Sequence, residues 1–182
     1  MPYSDPTYDS EIENFIKKNN FVNYLDIGAG SGKYAEIIRR HIQDANIVGV
    51  EADISYIKEF NLNKNYTKIY NQFIEEFIDE NPDFLTDVAI IGDCIEHLKK
   101  SDGLDLLHYL VYRTRYILVI FPTQYIQYSW NGHSSEAHRS VWDKHDFIQF
   151  KYVFKKKGIM NLVTIKGFLG DSGTTYVAEI KI

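Results

Sequence analysis

Apolar runs of strand length alternate along this chain with stretches in which apolar residues recur at helical spacing. The run from Phe21 to Ile27 predicts a buried strand, and the apolar residues at positions 35, 37, 38 and 42 predict a helix after it. Further strands are predicted over residues 46–51, 67–70, 87–91 and 116–121, with helices over residues 11–18, 73–80 and 101–113 and one beginning at residue 54.

Strands that alternate with helices at this interval pair in parallel through right-handed crossovers, which indicates an α/β fold. Residues 143–157 then predict a helix, and residues 159–165 and 174–182 predict two final strands. The segment between those strands is too short for a crossover helix, so they should pair antiparallel. We therefore predict a single domain over residues 1–182. Its fold is a three-layer αβα sandwich with a Rossmann-like, mostly parallel seven-stranded sheet and an antiparallel C-terminal hairpin.

A glycine-rich turn separates the first strand from its helix and reads Asp26-Ile-Gly28-Ala29-Gly30-Ser-Gly32. Glycines adopt backbone angles closed to other residues and let a ligand approach the main chain. The helix that begins near Gly32 presents unpaired N–H groups and a partial positive charge. We therefore expect an anionic group at this turn.

Two known nucleotide-binding motifs contain a glycine turn of this kind. A phosphate-binding Walker loop needs Ser or Thr after Gly32-Lys33, and Tyr34 there cannot replace the hydroxyl that holds magnesium. The dinucleotide fingerprint fits from Gly30 to Ala35, with Glu51 at about the expected distance of roughly 20 residues. An NAD-binding oxidoreductase domain therefore stays an alternative.

The composition narrows the class of protein further. The chain is 45% hydrophobic and 25% charged, which is typical of a soluble globular protein. It has neither a signal-like N-terminus nor an apolar run near the ~20 residues of a membrane span. The lone Cys94 allows no internal disulfide, and a net charge of -5 argues against a broad nucleic-acid surface. We expect a cytoplasmic protein with neither a membrane nor a nucleic acid as its partner.

The glycine turn with its preceding Asp26 resembles the first motif of class I S-adenosylmethionine (SAM) methyltransferases. The segment Gly92-Asp-Cys-Ile-Glu-His-Leu98 resembles the fourth motif of the same family, and Glu51 ends the second predicted strand as an acidic residue does there. The resemblance covers nearly the whole chain. The antiparallel final pair also fits this family, whereas a dinucleotide domain continues with parallel strands and needs a separate substrate domain.

This resemblance implies that the cofactor is SAM and that S-adenosylhomocysteine is the product. Glu51 would accept hydrogen bonds from both ribose hydroxyls, Asp93 and Cys94 would face the sulfonium and methyl group, and Asn71 or Gln72 would meet the adenine amino group. The implied cofactor-binding residues are Asp26, Gly28, Ala29, Gly30, Gly32, Glu51, Ala52, Gln72, Asp93 and Cys94.

The candidate catalytic residues are Asp93, His97 and His138. His97 is either a base near the substrate or a residue that caps and packs its segment. His138 precedes Trp142 as a histidine does in many small methyltransferases, and it either exchanges a proton or ties its loop down. A base is needed only if the attacking group must lose a proton. The spacing of His133, His138 and His145 does not resemble a ligand cage, so no metal is expected.

The acceptor of the methyl group should meet the long polar and aromatic segment 123–141, which leaves the carboxyl end of the fifth predicted strand. The fourth motif is not Asn/Asp-Pro-Pro-Tyr, which disfavours amino methylation of DNA bases. We expect a small-molecule or glycan hydroxyl, held by this loop, the N-terminus or the partner subunit of a homodimer. A SAM-binding or nucleotide-binding module that transfers no methyl group is the other alternative.

Overall fold

The computed structural model describes residues 2–123, 127–129, 132 and 136–171, and within them seven strands form one sheet. The strands are β1 (Asn23–Ile27), β2 (Asn46–Val50), β3 (Lys68–Tyr70), β4 (Val88–Gly92), β5 (Tyr116–Pro122), β6 (Tyr152–Lys157) and β7 (Met160–Lys166). Their order is β3-β2-β1-β4-β5-β7-β6. Strands β1 to β5 pair in parallel, and β7 is antiparallel to both β5 and β6. The predicted sheet, mostly parallel with an antiparallel C-terminal hairpin, is confirmed.

Helices cover both faces of this sheet and complete the three predicted layers. They are α1 (Asp9–Asn19), α2 (Lys33–His41), α3 (Ile54–Glu59), α4 (Ile74–Glu80) and α5 (Lys100–Val111). Alternate residues of a strand face opposite sides of a sheet. Leu25 of β1 accordingly joins the apolar cluster under α4 and α5, while Tyr24 joins the cluster under α1, α2 and α3. Within the described residues, no helix is both long and apolar enough to cross a bilayer.

The direction of strand addition reverses between β1 and β4. The chain moves outward from β1 through β2 to β3 and then returns to place β4 and β5 on the other side. In open α/β sheets, ligands bind beyond the carboxyl ends of the strands at such a switch point. Gly28, Glu51 and Asp93 each follow the end of β1, β2 or β4, so the topology brings these three candidate residues to one edge.

The C-terminal hairpin uses different residues from those predicted. The strand expected over residues 159–165 is present as β7, but its hairpin partner is β6, joined to it through Gly158. The strand expected over residues 174–182 lies outside the described residues. Strand β7 also lies between β5 and β6 and not at the edge of the sheet.

The helix predicted over residues 143–157 is wrong. Only a single turn forms, over Lys144–Phe147, and the chain is extended from Tyr152. Tyr152 and Phe154 are partly buried while Val153 between them is exposed, which is the period of a strand. Phe147 and Phe150 are three positions apart, which is a helical spacing, but Phe147 ends the single turn and Phe150 lies in the loop after it. Both side chains are buried there without forming a helix.

Candidate functional site

A cleft lies beyond the carboxyl ends of β1, β2 and β4. It encloses about 870 Å³ of space, part of it open to solvent. Seven of the ten predicted cofactor-binding residues line it, namely Gly28, Gly30, Glu51, Ala52, Gln72, Asp93 and Cys94. The cleft thus gathers residues from four separate segments of the chain, as the sequence predicted.

Glu51 joins the glycine turn to the end of β2. Its Oε2 accepts a hydrogen bond of 2.8 Å from Gly30 N, and its Oε1 accepts one of 2.8 Å from Asp53 N. The side chain is buried, and this burial raises its pKa. The carboxylate therefore fixes the turn and the start of α3 together at the floor of the cleft.

The N–H groups of the glycine turn donate within the protein. Gly28 and Ala29 donate to Val50 O at 2.9 and 3.2 Å, and Gly32 donates to Ala29 O at 2.8 Å. Gly30 donates to Glu51, and Ser31 donates to the carbonyl of Pro2 at 2.8 Å in the N-terminal segment. These five donors are therefore all used within the protein, and the anionic group that lies against the turn in this structure is the carboxylate of Glu51.

The N-terminal segment, residues 2–5, lies across the turn and reaches β4. Lys33 Nζ donates to the carbonyls of Ser4 and Asp5 at 3.3 and 2.8 Å and forms an ion pair with Asp9 at 2.7 Å. Asp5 N donates to Asp93 Oδ2 at 2.8 Å. The positive charge at the start of α2 is therefore directed to the N-terminal segment.

Asp26 does not line the cleft, although it was expected to contact the cofactor. The residue is completely buried, and its Oδ2 accepts a hydrogen bond of 2.5 Å from Tyr66 OH. Burial raises the pKa of its carboxyl to about 7. Ala29 and Gly32 of the turn are also buried and do not line the cleft.

We expect the raised pKa of Asp26 to make the protein less stable as the pH rises. The folded protein keeps this proton up to a pKa of about 7, whereas the unfolded chain loses it near 3.8. Stability should fall between these values by up to roughly 4 kcal/mol. Asp26→Asn should flatten this fall in urea unfolding between pH 5 and 8, and exposed Asp44→Asn should not. An unchanged slope in Asp26→Asn would contradict the expectation.

The far end of the cleft lies beside the residues that follow β3. Asn71 Nδ2 donates to the carbonyls of Glu51 and Ala52 at 2.9 and 3.0 Å, so its amide holds the backbone, and Gln72 is the amide that lines the cleft. Phe73 lines the cleft as well and is 57% exposed. The sequence analysis missed Phe73 because it was assigned to the predicted helix, although an apolar residue three positions after the end of β3 is a signal that could have found it.

Asp93 and Cys94 form the wall of the cleft after β4. Asp93 has a φ of 48°, and burial raises the pKa of its carboxyl to about 6. Burial likewise raises the pKa of the Cys94 thiol. A Cβ atom at Gly28, whose φ is 71°, would lie 2.6 Å from Cys94 Sγ, so the turn and this wall are in direct contact.

A second chamber adjoins the cleft through Asp93 and His97, which line both. It encloses about 900 Å³, part of it open, and His138 and Glu96 line it as well. The rings of His97 and His138 lie 5.0 Å apart in an edge-to-face arrangement. The structure thus brings together all three predicted catalytic residues, although 41 positions separate the two histidines in the chain.

His97 is held by the loop that precedes Trp142. Its Nδ1 lies 3.2 Å from the carbonyl oxygen of Ala137, and burial lowers its pKa. Glu136 of the same loop is buried, accepts a hydrogen bond of 3.0 Å from Tyr56 OH, and lines the cleft. His133 lies outside the described residues. His145 is exposed and contacts Asp143, apart from the other histidines.

Comparisons with known proteins bear on the fold. No protein-family model and no curated protein sequence matches the chain. An O-methyltransferase family protein from Burkholderia thailandensis superposes with a TM-score of 0.67 at 8% identity, covering 87% of this chain and 55% of that one. The methyltransferase domain of bacterial CtHen1 gives 0.65 at 15% identity, covering 88% of this chain and 98% of that one.

A third structure is a magnesium protoporphyrin IX methyltransferase from Synechocystis PCC 6803 with bound S-adenosylhomocysteine. The superposition has a TM-score of 0.63 at 10% sequence identity, and it covers 87% of this chain and 81% of the Synechocystis chain. This chain spans 55% of the length of the Burkholderia protein. The fold is that of the class I SAM-dependent methyltransferases, as the resemblance implied.

Proposed function

We propose that this protein is a SAM-dependent methyltransferase whose acceptor is a small-molecule or sugar-type hydroxyl. The observation that carries the proposal is the contact between Glu51 and Gly30 on the floor of a large cleft at the switch point of the sheet. Ligands of open α/β sheets bind at this place, beyond the carboxyl ends of the strands. Solved structures with this fold include a mitomycin 7-O-methyltransferase and a magnesium protoporphyrin IX methyltransferase, whose acceptors differ.

The described residues fit an adenosyl group. Each oxygen of Glu51 accepts one backbone N–H and keeps a further lone pair, so the carboxylate can also accept the two ribose hydroxyls. Ala52 and the exposed ring of Phe73 offer apolar surface for a base, with the amide of Gln72 beside them. Bound SAM would supply an electrophilic methyl group on its sulfonium.

Asp93 and His97 line both chambers, and so they would stand where methyl donor and acceptor meet. Positioning of the two reactants and exclusion of water can supply much of the acceleration. A hydroxyl must also lose its proton, and an imidazole whose pKa burial has lowered is neutral at pH 7 and can accept it. The pair of imidazoles in the acceptor chamber favours a hydroxyl over an acceptor that needs no base.

The used N–H groups of the glycine turn argue against NAD. A dinucleotide pyrophosphate binds to free N–H groups at this position. Here the five donors from Gly28 to Gly32 already have protein acceptors, and Lys33 faces Asp9. SAM carries no phosphate, so its binding requires no pyrophosphate against these donors.

Isothermal titration with SAM, S-adenosylhomocysteine and NAD, followed by transfer of a labelled methyl group to pools of hydroxyl and amine compounds, tests the proposal. We expect binding of both adenosyl ligands and transfer to a hydroxyl. Preference for NAD would favour the oxidoreductase alternative. Tight binding of S-adenosylhomocysteine with no transfer to any pool would favour the module that binds without catalysis.

Phe73→Ala should weaken SAM binding by about 5- to 30-fold, because a base stacked on an aromatic ring gains roughly 1 to 2 kcal/mol. The side chain is exposed, so the free energy of unfolding should change little. Leu85→Ala is the matched control, since Leu85 is 59% exposed and does not line the cleft. Equal SAM affinity in the two variants would show that the base lies elsewhere.

A further inference from the structure

Three side chains with metal-binding atoms meet in the second chamber. Glu96, His97 and His138 each offer one ligand atom, and these three atoms lie within 4.8 Å of one another. Glu96 and His97 belong to the single turn Ile95–His97 after β4, while His138 comes from the loop before Trp142. The cluster therefore depends on two segments that only the fold brings together.

Glu96 supplies an independent sign that something binds in this cluster. The residue is 4% exposed, and its Oε2 has no hydrogen-bond partner among the residues that the structure describes. A buried carboxylate without a partner is unfavourable unless a proton or a cation neutralises it.

Backbone hydrogen bonds hold the two segments in place. Arg139 N and Ser140 N donate to the carbonyl of Glu96 at 2.8 and 3.1 Å, which fixes the loop carrying His138 against the turn. His97 Nδ1 lies 3.2 Å from the carbonyl of Ala137, which can only accept, so that nitrogen carries the hydrogen. The lone pair of a neutral His97 is therefore on Nε2. A second hydrogen bond of this kind orients histidines that bind metals.

We propose that Glu96, His97 and His138 bind a divalent transition-metal ion of the Zn²⁺ type. Two imidazoles and one carboxylate suit such ions, whereas Mg²⁺ and Ca²⁺ take oxygen ligands. A bound ion would draw the three ligand atoms to about 3 Å from one another, given metal–ligand distances near 2.1 Å. The sequence expectation of no metal considered only the spacing among histidines, and it did not include Glu96.

Three protein ligands leave coordination positions open, as catalytic metal sites do. The ion would lie in the chamber assigned to the acceptor, where it would bind the acceptor oxygen and lower the pKa of its hydroxyl. The histidines would then hold the metal, and the proton released from the bound hydroxyl would pass to solvent at the open part of the chamber. This role rests on the proposed function, whereas metal binding itself does not.

Titration of the metal-stripped full chain with Zn²⁺, by calorimetry, and with Co²⁺, by visible absorption, tests the site. We expect one equivalent of each ion to bind, the Co²⁺ bands of imidazole ligation, and far weaker binding of Mg²⁺. Glu96→Gln and His138→Ala should each weaken Zn²⁺ binding at least 10-fold. His145→Ala removes an exposed histidine outside the cluster and should leave binding unchanged.

His138 is only partly buried, so its variant keeps the test valid if Glu96→Gln fails to fold. Absence of stoichiometric Zn²⁺ binding, or equal affinity in His138→Ala and the wild type, would overturn the proposal. SAM affinity measured in the same samples separates the two proposals. Metal binding without SAM binding would support the metal site and refute the proposed transferase. SAM-dependent methyl transfer by a protein that binds no metal would support the transferase and refute the metal site.

Discussion

Glu51→Ala is expected to weaken SAM binding by about 10- to 150-fold, a loss of roughly 1.5 to 3 kcal/mol. The variant removes a charged acceptor from two ribose hydroxyls. It also leaves Gly30 N and Asp53 N without their acceptor, so the floor of the cleft loses its fixed shape. Calorimetric titration with SAM measures the change in affinity, and urea unfolding measures the accompanying loss of stability.

Two further variants separate these contributions. Glu51→Gln keeps the size of the side chain, but its amide nitrogen cannot accept from Gly30 or Asp53, so it should recover only part of the affinity. Glu59→Ala removes an exposed carboxylate on α3 and should change neither quantity. If Glu51→Ala bound SAM as tightly as Glu59→Ala does, the ribose would not lie at the end of β2 and the proposed function would lose its main support.

The parts of the fold that rest on local patterns could be predicted from the sequence. Strands β1, β2 and β4 are apolar runs followed by helical spacing, and the sheet contains β1 to β5 at the residues where strands were predicted. The hairpin could not be predicted in the same way. Strand β6 is an edge strand in which the partly buried Phe154 lies between the exposed Val153 and Lys155. This alternation covers only a few residues before the run of lysines, so it was too short to be recognised as a strand.

The residues of the site likewise fall into those that the sequence places correctly and those that it does not. Gly28, Glu51 and Asp93 follow strand ends, and parallel strands bring their ends to one edge, so the topology alone places them together. Asp26 is the last residue but one of β1, but its side chain points to the face that α2 covers and accepts a hydrogen bond from Tyr66. A pattern that repeats every two residues gives the face only after the register is known.

Contacts between distant segments could not be predicted from the sequence. The expectation of an anion at the glycine turn assumed free N–H groups, and the donation from Ser31 to Pro2 depends on where the N-terminal segment lies. The meeting of Glu96 with His138 likewise depends on the path of a loop without periodicity. In both cases the chemistry changes because a second segment supplies or takes a hydrogen-bond partner.

Gly28→Ala should have the largest effect on the protein. A Cβ atom at this position would lie 2.6 Å from Cys94 Sγ and 2.9 Å from Cys94 Cβ, and the φ of 71° already disfavours a side chain. The left-handed backbone alone costs about 1 to 2 kcal/mol, and forced overpacking adds roughly 1 to 3 kcal/mol. We expect a loss of about 3 kcal/mol in urea unfolding and SAM binding too weak to measure.

Gly158→Ala is the control that isolates the steric part of this effect. Gly158 has a φ of 57°, but a Cβ atom there would meet nothing within 4 Å, so its variant should lose only the backbone contribution. Adding Cys94→Gly to Gly28→Ala removes both atoms that the new methyl group would strike and should restore part of the stability. If Gly28→Ala lost no more than Gly158→Ala and still bound SAM, Cys94 would be free to move away. The glycine turn and the wall after β4 would then not form one rigid cleft, because their close packing is what holds Glu51 and Asp93 at a fixed separation across the space for the ligand.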